Sequence, residues 1–366
     1  MVTEALVREA LRGVNDPEIG RPIEDIGMLE SIEVDGGLVR VHVLLTIEGC
    51  PLRDRITQEV TGAIQPLAGV ERVEVSLTPM SPEAREKLVG TLRGPTATGA
   101  TKIAFSPKTS IIAVASGKGG VGKSSVTVNL AAVLAADGYK VGVLDADVWG
   151  FSVPRMLGAE GKPVGFNDMI LPLEAHGVKV ISMGFFVPED TPVIWRGPML
   201  HKAIEQFLGD VYWGDLDFLL CDLPPGTGDV SISLASFIPG ASMLVVTTPQ
   251  EAAHTVAQRA GKMAERTNLR PIGVIENMSW FICPHCGERE LLFGEGGGQL
   301  VADTIGVPLL AQVPLLPALR VGSDTGVPIV ISDPASPASV AFREAAHAMR
   351  TASKSKIGKP LSLSAR

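Results

Sequence analysis

The feature that most constrains this chain is one ten-residue stretch, Ser116-Gly117-Lys118-Gly119-Gly120-Val121-Gly122-Lys123-Ser124-Ser125. It follows directly on the apolar run IIAVA at 111–115 and precedes a segment in which Val126, Leu130, Val133 and Leu134 recur at helical spacing. Strand, loop and helix in that order satisfy G-x-x-x-x-G-K-S/T in the context the motif requires. Glycines let successive backbone N–H groups turn inward around phosphate oxygens, and the helix N-terminus adds positive potential. Lys123 then reaches the β- and γ-phosphates, and the Ser124 hydroxyl ligates Mg²⁺. A plain Gly-rich turn at a strand end is the weaker reading with the full motif in place.

The surroundings fit such a loop. From 110 onward, apolar β-branched runs alternate with helical stretches, which predicts an α/β domain with a mostly parallel sheet covered by helices on both faces. Strands are predicted at 111–115, 141–144, 178–182, 218–221, 243–247, 272–275 and 309–313. At 366 residues the chain exceeds one ordinary core. Residues 1–80 read as a small α+β domain, with strands at 29–34 and 38–47 around the hairpin signal Gly36-Gly37, a helix at 51–65 and a strand at 70–77. Residues 81–108, first charged and then rich in Thr, Gly and Pro, read as a linker. The P-loop domain follows at 109–352, and 353–366 reads as a flexible tail.

Two further apolar strands end in acids: VGVL gives way to Asp145-Ala146-Asp147, and FLLC to Asp222-Leu223-Pro224-Pro225-Gly226-Thr227-Gly228-Asp229. Carboxylates at the C-terminal ends of parallel strands face the ligand crevice. Asp222 therefore reads as the acid near Mg²⁺, and Gly226 as a backbone donor to the γ-phosphate. Asp145 and Asp229 taken singly serve equally well as helix or turn caps. The absence of an N-K-x-D motif favours ATP over GTP.

Four cysteines, Cys50, Cys221, Cys283 and Cys286, are too few for a disulfide framework. Only the last two are paired, in Cys283-Pro284-His285-Cys286. Two thiolates are half of a tetrahedral site, and the same turn from a second copy across a two-fold axis would complete a set of four. That set suits Zn²⁺ or an iron–sulfur cluster alike, and a zinc knuckle or a redox dithiol remains open. Cys221, inside an apolar run, reads as core.

With 45% hydrophobic and 20% charged residues, disorder is not the default. The net charge of -8 argues against an overall electrostatic grip on nucleic acid. No run reaches the roughly 18 apolar residues of a membrane helix, and the start MVTEALVREA lacks a basic segment followed by an apolar one. A cytoplasmic protein that binds neither membrane nor nucleic acid is expected.

In combination, KGGVGKSS, DADVWGFSVPRMLG, VIWRGPM, LLCDLPPGTGD and ENMS followed by CPHC closely resemble the Mrp/ApbC branch of the ParA/MinD-like ATPases, over roughly 110–348. The resemblance implies a homodimeric carrier that binds and hydrolyses ATP, holds a 4Fe–4S cluster at the dimer interface through Cys283 and Cys286, and passes it to apo iron–sulfur proteins. It also implies that Gly117, Lys118, Gly119, Gly120, Val121, Gly122, Lys123, Ser124 and Ser125 cradle the nucleotide and that Lys118, otherwise a solvated side chain, acts in trans on the partner's nucleotide. Asp147 matches the position that orients attacking water and Asn277 the position that contacts adenine. The N-terminal module, with DPEIGRPIEDIGML and TIEGCPLRD, resembles the PaaD/SufT-like domain; Cys50 matches a cysteine linked there to iron–sulfur work, though a lone cysteine in a turn serves as readily as an apolar filler. Two other readings stand beside this one: a spatial-organising ATPase of the MinD or ParA kind, and a zinc-stapled ATPase without a cluster. The tail KSKIGKPLSLSAR lacks the amphipathic helix that MinD-like membrane attachment calls for.

Overall fold

The computed structural model describes residues 2–17, 19–46, 52–93, 103, 105–147, 150–167, 169–186, 197–226, 229–250, 253–283 and 285–353. Cys50, and the stretches 148–149, 187–196, 227–228 and 354–366, on which parts of the sequence reading fell, lie outside them.

The chain begins with α1 (Glu4–Leu11), started by the Thr3 side chain accepting from the Leu6 N–H. The strands β1 (Leu29–Asp35) and β2 (Leu38–Leu45) pair antiparallel around the tight turn at Gly36, whose φ of +57° a side chain would strain. The helix α2 (Arg53–Ile64) crosses over to β3 (Arg72–Pro79), which runs parallel to β2. Val39, Val41 and Val43 on one face of β2 are fully buried with Val7, Leu11, Ile56, Val60 and Ile64, so the period of two in the strand and of 3.6 in the helices meet in one core.

The next element corrects the reading of 81–108 as a linker. Residues 82–93 form α3 (Pro82–Arg93), whose first turn is capped by the Ser81 hydroxyl accepting from the Ala84 N–H. Polar composition hid two apolar positions, Leu88 and Val89, which are buried in the core of the first unit.

Beyond it come β4 (Ser110–Ala115), α4 (Lys123–Ala136), β5 (Val141–Asp145) and α5 (Val153–Leu157). A short hairpin of β6 (Val164–Phe166) and β7 (Met169–Leu171) follows, then β8 (Leu173–Ala175), β9 (Val178–Ser182) and α6 (Gly197–Gly209). The remainder is β10 (Phe218–Asp222), α7 (Asp229–Phe237), β11 (Ser242–Thr247), α8 (Ala253–Thr267), β12 (Arg270–Ile282), β13 (Arg289–Glu290), α9 (Gly297–Ile305), β14 (Leu309–Leu315), α10 (Pro317–Thr325), α11 (Ile329–Ser332) and α12 (Pro337–Ser353). Two compact units result: one of Met1–Ala104 with Pro163–Leu171 and Asp210–Gly214, the other of Phe105–Lys162, Pro172–Gly209 and Asp215–Arg366. The hairpin β6–β7 thus belongs to the first unit, where Met169 and Leu171 join its core.

In the second unit nine strands form one sheet in the order β13-β12-β11-β4-β10-β5-β9-β8, with β14 also beside β12. All pairings are parallel except those of β8 and β13. Every residue of β5, β10 and β11 is buried, as expected of strands covered on both faces. The helices fall into two sets that pack within themselves, α4, α5, α10, α11 and α12 on one side and α6 through α9 on the other. If α3 belongs to the first unit's core as described, Leu88→Ala lowers that unit's stability by about 2–5 kcal/mol; an unchanged urea-unfolding midpoint would return 82–93 to the role of linker.

Candidate nucleotide site and cysteine turn

The strand order brings three loops to one edge. Because β10 lies between β4 and β5, Asp222 stands level with Val114 on one neighbour and Asp145 on the other, at the C-terminal ends of all three. The phosphate loop leaves β4 at this edge and enters α4 through Gly122, in the left-handed region at φ +76°. A Cβ there would collide with the Asn277 amide, so position 122 requires glycine on two counts. At Gly120 a Cβ would meet nothing within 4 Å and at Gly119 only Pro225 at 3.9 Å, which leaves the inner face of the loop open to an approaching oxyanion. Val121 is buried and Ser125 half-buried at the start of α4.

Asp222 is the hub. Its fully buried carboxylate accepts from Ser124 Oγ at 2.5 Å and from Thr127 Oγ1 at 2.8 Å, and Lys123 Nζ lies 2.7 Å away. Thr127 escaped the sequence reading, although it sits one turn beyond Lys123 and so on the same face of α4. The Lys123 ammonium, also buried, is ion-paired but completes no hydrogen bond among the described residues. A buried ammonium with donors to spare, beside an open ring of backbone, fits a phosphate. Ser124 Oγ and Asp222 Oδ2 are the hard oxygen donors that fit Mg²⁺.

Asp145 turns out to hold structure together. Its carboxylate accepts from the N–H groups of Asp147 (3.2 Å) and Val153 (3.3 Å) and from Ser182 Oγ (3.0 Å), fixing the turn after β5 and the start of α5. Burial, with the Asp222 charge on the adjacent strand, pushes its carboxyl up to about 7. Asp147 Oδ1 accepts from the Gly150 N–H at 3.1 Å.

Two positions are engaged differently from the sequence reading. The Gly226 N–H donates to the Ser116 carbonyl at 3.0 Å rather than standing free for a γ-phosphate. Asn277, expected at adenine, is buried and donates to the Val121 carbonyl at 2.9 Å, bracing the loop from β12. Lys118 donates to Gln250 Oε1, and Arg259 on α8 to the Gly117 carbonyl at 3.0 Å; neither partner carries any local signal in the sequence.

The cysteine pair sits at a hairpin tip. β12 runs thirteen residues, far past the predicted 272–275, and pairs antiparallel with β13 through Phe281↔Glu290 and Ile282↔Arg289. Between them Cys283 N–H donates to Glu288 O and Gly287 N–H to Cys283 O, both at 2.9 Å, closing a knuckle in which Gly287 has φ +75°. The backbone N–H groups of Cys286 and His285, then the Cys286 thiol, point at the Cys283 sulfur and hold its thiol below the usual range. Cys283 is half-buried and Cys286 exposed, and among the described residues no group of three or more His, Cys, Asp or Glu could hold a metal. Cys221 is buried as expected, its thiol pushed up by burial and the neighbouring Asp222.

Residues 108–350 match the family model described as NUBPL iron-transfer P-loop NTPase, and residues 4–77 the one described as iron-sulfur cluster assembly protein. The chain belongs to this family of iron-transfer P-loop NTPases. It is 51% identical to the iron-sulfur cluster carrier protein of Mycobacterium tuberculosis over 98% of this chain and 96% of that protein, and 43% identical to the Synechocystis protein of the same description, covering 92% and 94%. The solved nucleotide-binding protein of Archaeoglobus fulgidus in complex with ADP matches with a TM-score of 0.55 at 38% identity, covering 64% of this chain and 92% of that one. The resemblance to Mrp/ApbC and ParA/MinD-like proteins is thereby borne out, as is the α/β P-loop fold. Among the described residues of this iron-transfer NTPase no helix is long and apolar enough to cross a membrane.

The raised Asp145 carboxyl has a definite sign for stability. Its folded form keeps a proton that the unfolded chain releases near pH 4, so the stability it contributes falls as pH rises from about 4 to about 7 and is level above that. The difference in unfolding free energy between wild type and Asp145→Asn should decline across that window in metal-free protein. A difference independent of pH would show that Asp145 is ionised throughout.

Proposed function

We propose that this iron-transfer NTPase binds and hydrolyses ATP as a homodimer, carries a 4Fe–4S cluster between its two copies and hands it to apo iron–sulfur proteins in the cytosol, without nucleic-acid or membrane binding. The observation that carries the reading is the cysteine knuckle: two sulfurs, with the Cys283 thiol held below its usual range by backbone N–H groups, at an exposed hairpin tip where the described residues supply no third ligand. Such a half-site is completed by its own symmetry mate. Four thiolates suit zinc as well as a cluster, and the carrier relatives favour the cluster.

The nucleotide chemistry follows from the loop. The backbone of 117–122, the Lys123 ammonium and the start of α4 at Ser124 and Ser125 neutralise and orient the phosphates, which is most of what phosphoryl transfer asks of a protein. Mg²⁺ would be held by Ser124 and Asp222 and would supply charge neutralisation at the phosphates. Asp147 has one oxygen on Gly150 and the other without a hydrogen bond among the described residues, and that second oxygen orients the attacking water. Lys118 reaches the partner's nucleotide, and Gly226 turns its N–H from Ser116 to the γ-phosphate. We assign Asn277 to bracing the loop; a contact with adenine would need its amide to do both.

Anaerobic reconstitution tests this reading. Wild type should retain about four iron and four sulfide per dimer and transfer them to an apo acceptor in an ATP-sensitive manner. Cys283→Ala and Cys286→Ala should each lose nearly all of both while still binding a fluorescent ATP analogue. Full iron and sulfide in either variant, or zinc in place of iron in protein purified without oxygen, would refute the cluster assignment.

A further inference from the structure

Three consecutive residues at the front of the phosphate loop are each held by a group from outside it. The Ser116 carbonyl accepts from Gly226 N–H, the Gly117 carbonyl from the Arg259 guanidinium, and the Lys118 ammonium donates to Gln250 Oε1. Gln250 lies in the connection from β11 into α8 and Arg259 within α8 itself, and β11 pairs directly with β4, from which the loop springs. Two of the three tethered groups are assigned above to nucleotide: Gly226 N–H to the γ-phosphate and the Lys118 ammonium to the partner's nucleotide.

We infer that Gln250 is a latch: in the nucleotide-free chain it parks Lys118 against its own subunit and so restrains the pairing of two ATP-loaded copies. This rests on the reading of Lys118 as a residue that acts in trans.

The residue types suit a reversible latch. A neutral amide oxygen holds an ammonium by a charge-assisted but monovalent contact, and at an exposed site water competes for it. The oxygens of a triphosphate carry several negative charges, so they win the lysine once a second copy brings them within reach. A carboxylate at 250 would hold the lysine by its full charge and release it less readily. Arg259 plays the fixed part: its guanidinium grips main chain at Gly117, beside a small cavity walled by Ser116, Val245 and Met263. It therefore anchors the backbone next to Lys118 while leaving the lysine side chain free to swing.

The latch and the trans role can be tested apart in the full-length protein. In nucleotide-free monomer, mass spectrometry after brief treatment with an amine-acylating reagent reads the exposure of Lys118 against the other lysines. Gln250→Ala should raise the Lys118 rate about threefold to tenfold, the range a single contact of this class commands, and Gln250→Glu should lower it. Equal rates in all three proteins would overturn the latch. With a non-hydrolysable ATP analogue, sedimentation should show half-dimerisation of Gln250→Ala at about threefold to tenfold less nucleotide than wild type, of Gln250→Glu at more, and no effect of Gln250→Ala in a Lys118→Ala background. If Gln250→Ala dimerised at the wild-type concentration or above while binding a fluorescent ATP analogue normally, the regulatory role would fall. Altered Lys118 labelling in a protein that never dimerises with nucleotide would sustain the parking contact and refute instead the trans reading on which its consequence depends.

Discussion

The Asp222 carboxylate, buried at the end of β10, is the constraint around which the nucleotide unit is arranged. An isolated carboxylate there would cost several kcal/mol, so its burial is tenable only because Lys123, Ser124 and Thr127 converge on it. Those three residues occupy the first turn and a half of α4, which ties the helix to the strand neighbouring the one it follows. The sheet order has to place β10 between β4 and β5 for this to happen, and the same order sets Asp145 beside Asp222. Two adjacent buried acids do not ionise together easily, and burial with the neighbouring Asp222 charge pushes the Asp145 carboxyl up to about 7 against the opposing pull of its turn N–H groups and the Ser182 hydroxyl.

From that hub the site is built with its reactive groups already spoken for. Lys123 is ion-paired to Asp222, Gly226 is bonded to Ser116, Lys118 to Gln250 and Asn277 to Val121. The contacts of Gly226, Lys118 and Asn277 satisfy their polar groups by hydrogen bonds, while the Lys123 ammonium has its ion pair alone. Binding a triphosphate is therefore an exchange of partners. Only differences between the old and new contacts count toward affinity, which makes the solvent-exposed contact, the Gln250 amide on half-buried Lys118, the natural place for regulation.

Local order was legible in the sequence wherever a short motif carries its own geometry. The loop from Gly117 to Ser125 could be read because strand, glycines, lysine and hydroxyl are contiguous, and the burial of Asp222 at the ligand edge because it ends an apolar strand, a signal that Asp145 shares while serving the turn after β5. The cysteine turn was legible as a turn. What escaped depends on tertiary context. The helix α3 was hidden by polar composition, since Leu88 and Val89 alone are buried in the core, with Ala84 and Leu92 packed partly buried against it. β12 was expected only over 272–275; the strand continues through Asn277-Met278-Ser279 with a register shift against β14, and Met278 takes the left-handed φ of +59° that few side chains adopt. Gln250, Arg259 and the turn to Asn277 are separated from the loop by more than a hundred residues, and nothing near them in sequence announces the contact.

That irregular stretch of β12 also joins the two chemistries of the chain. Asn277 braces the phosphate loop, Met278 packs within 3.5 Å of where a side chain on Gly122 would begin, and five residues further on the same strand delivers Cys283. Trp280, between them, lies under the Arg289 guanidinium at 3.8 Å, which fastens β13 to β12 and stiffens the hairpin that bears the cysteines. The phosphate loop and the sulfur atoms are thus joined by one short run of backbone, from Asn277 through 278–282. A carrier must hold its cargo firmly in one state and loosely in another, and a single strand touching both sites offers the simplest physical means of coupling the two.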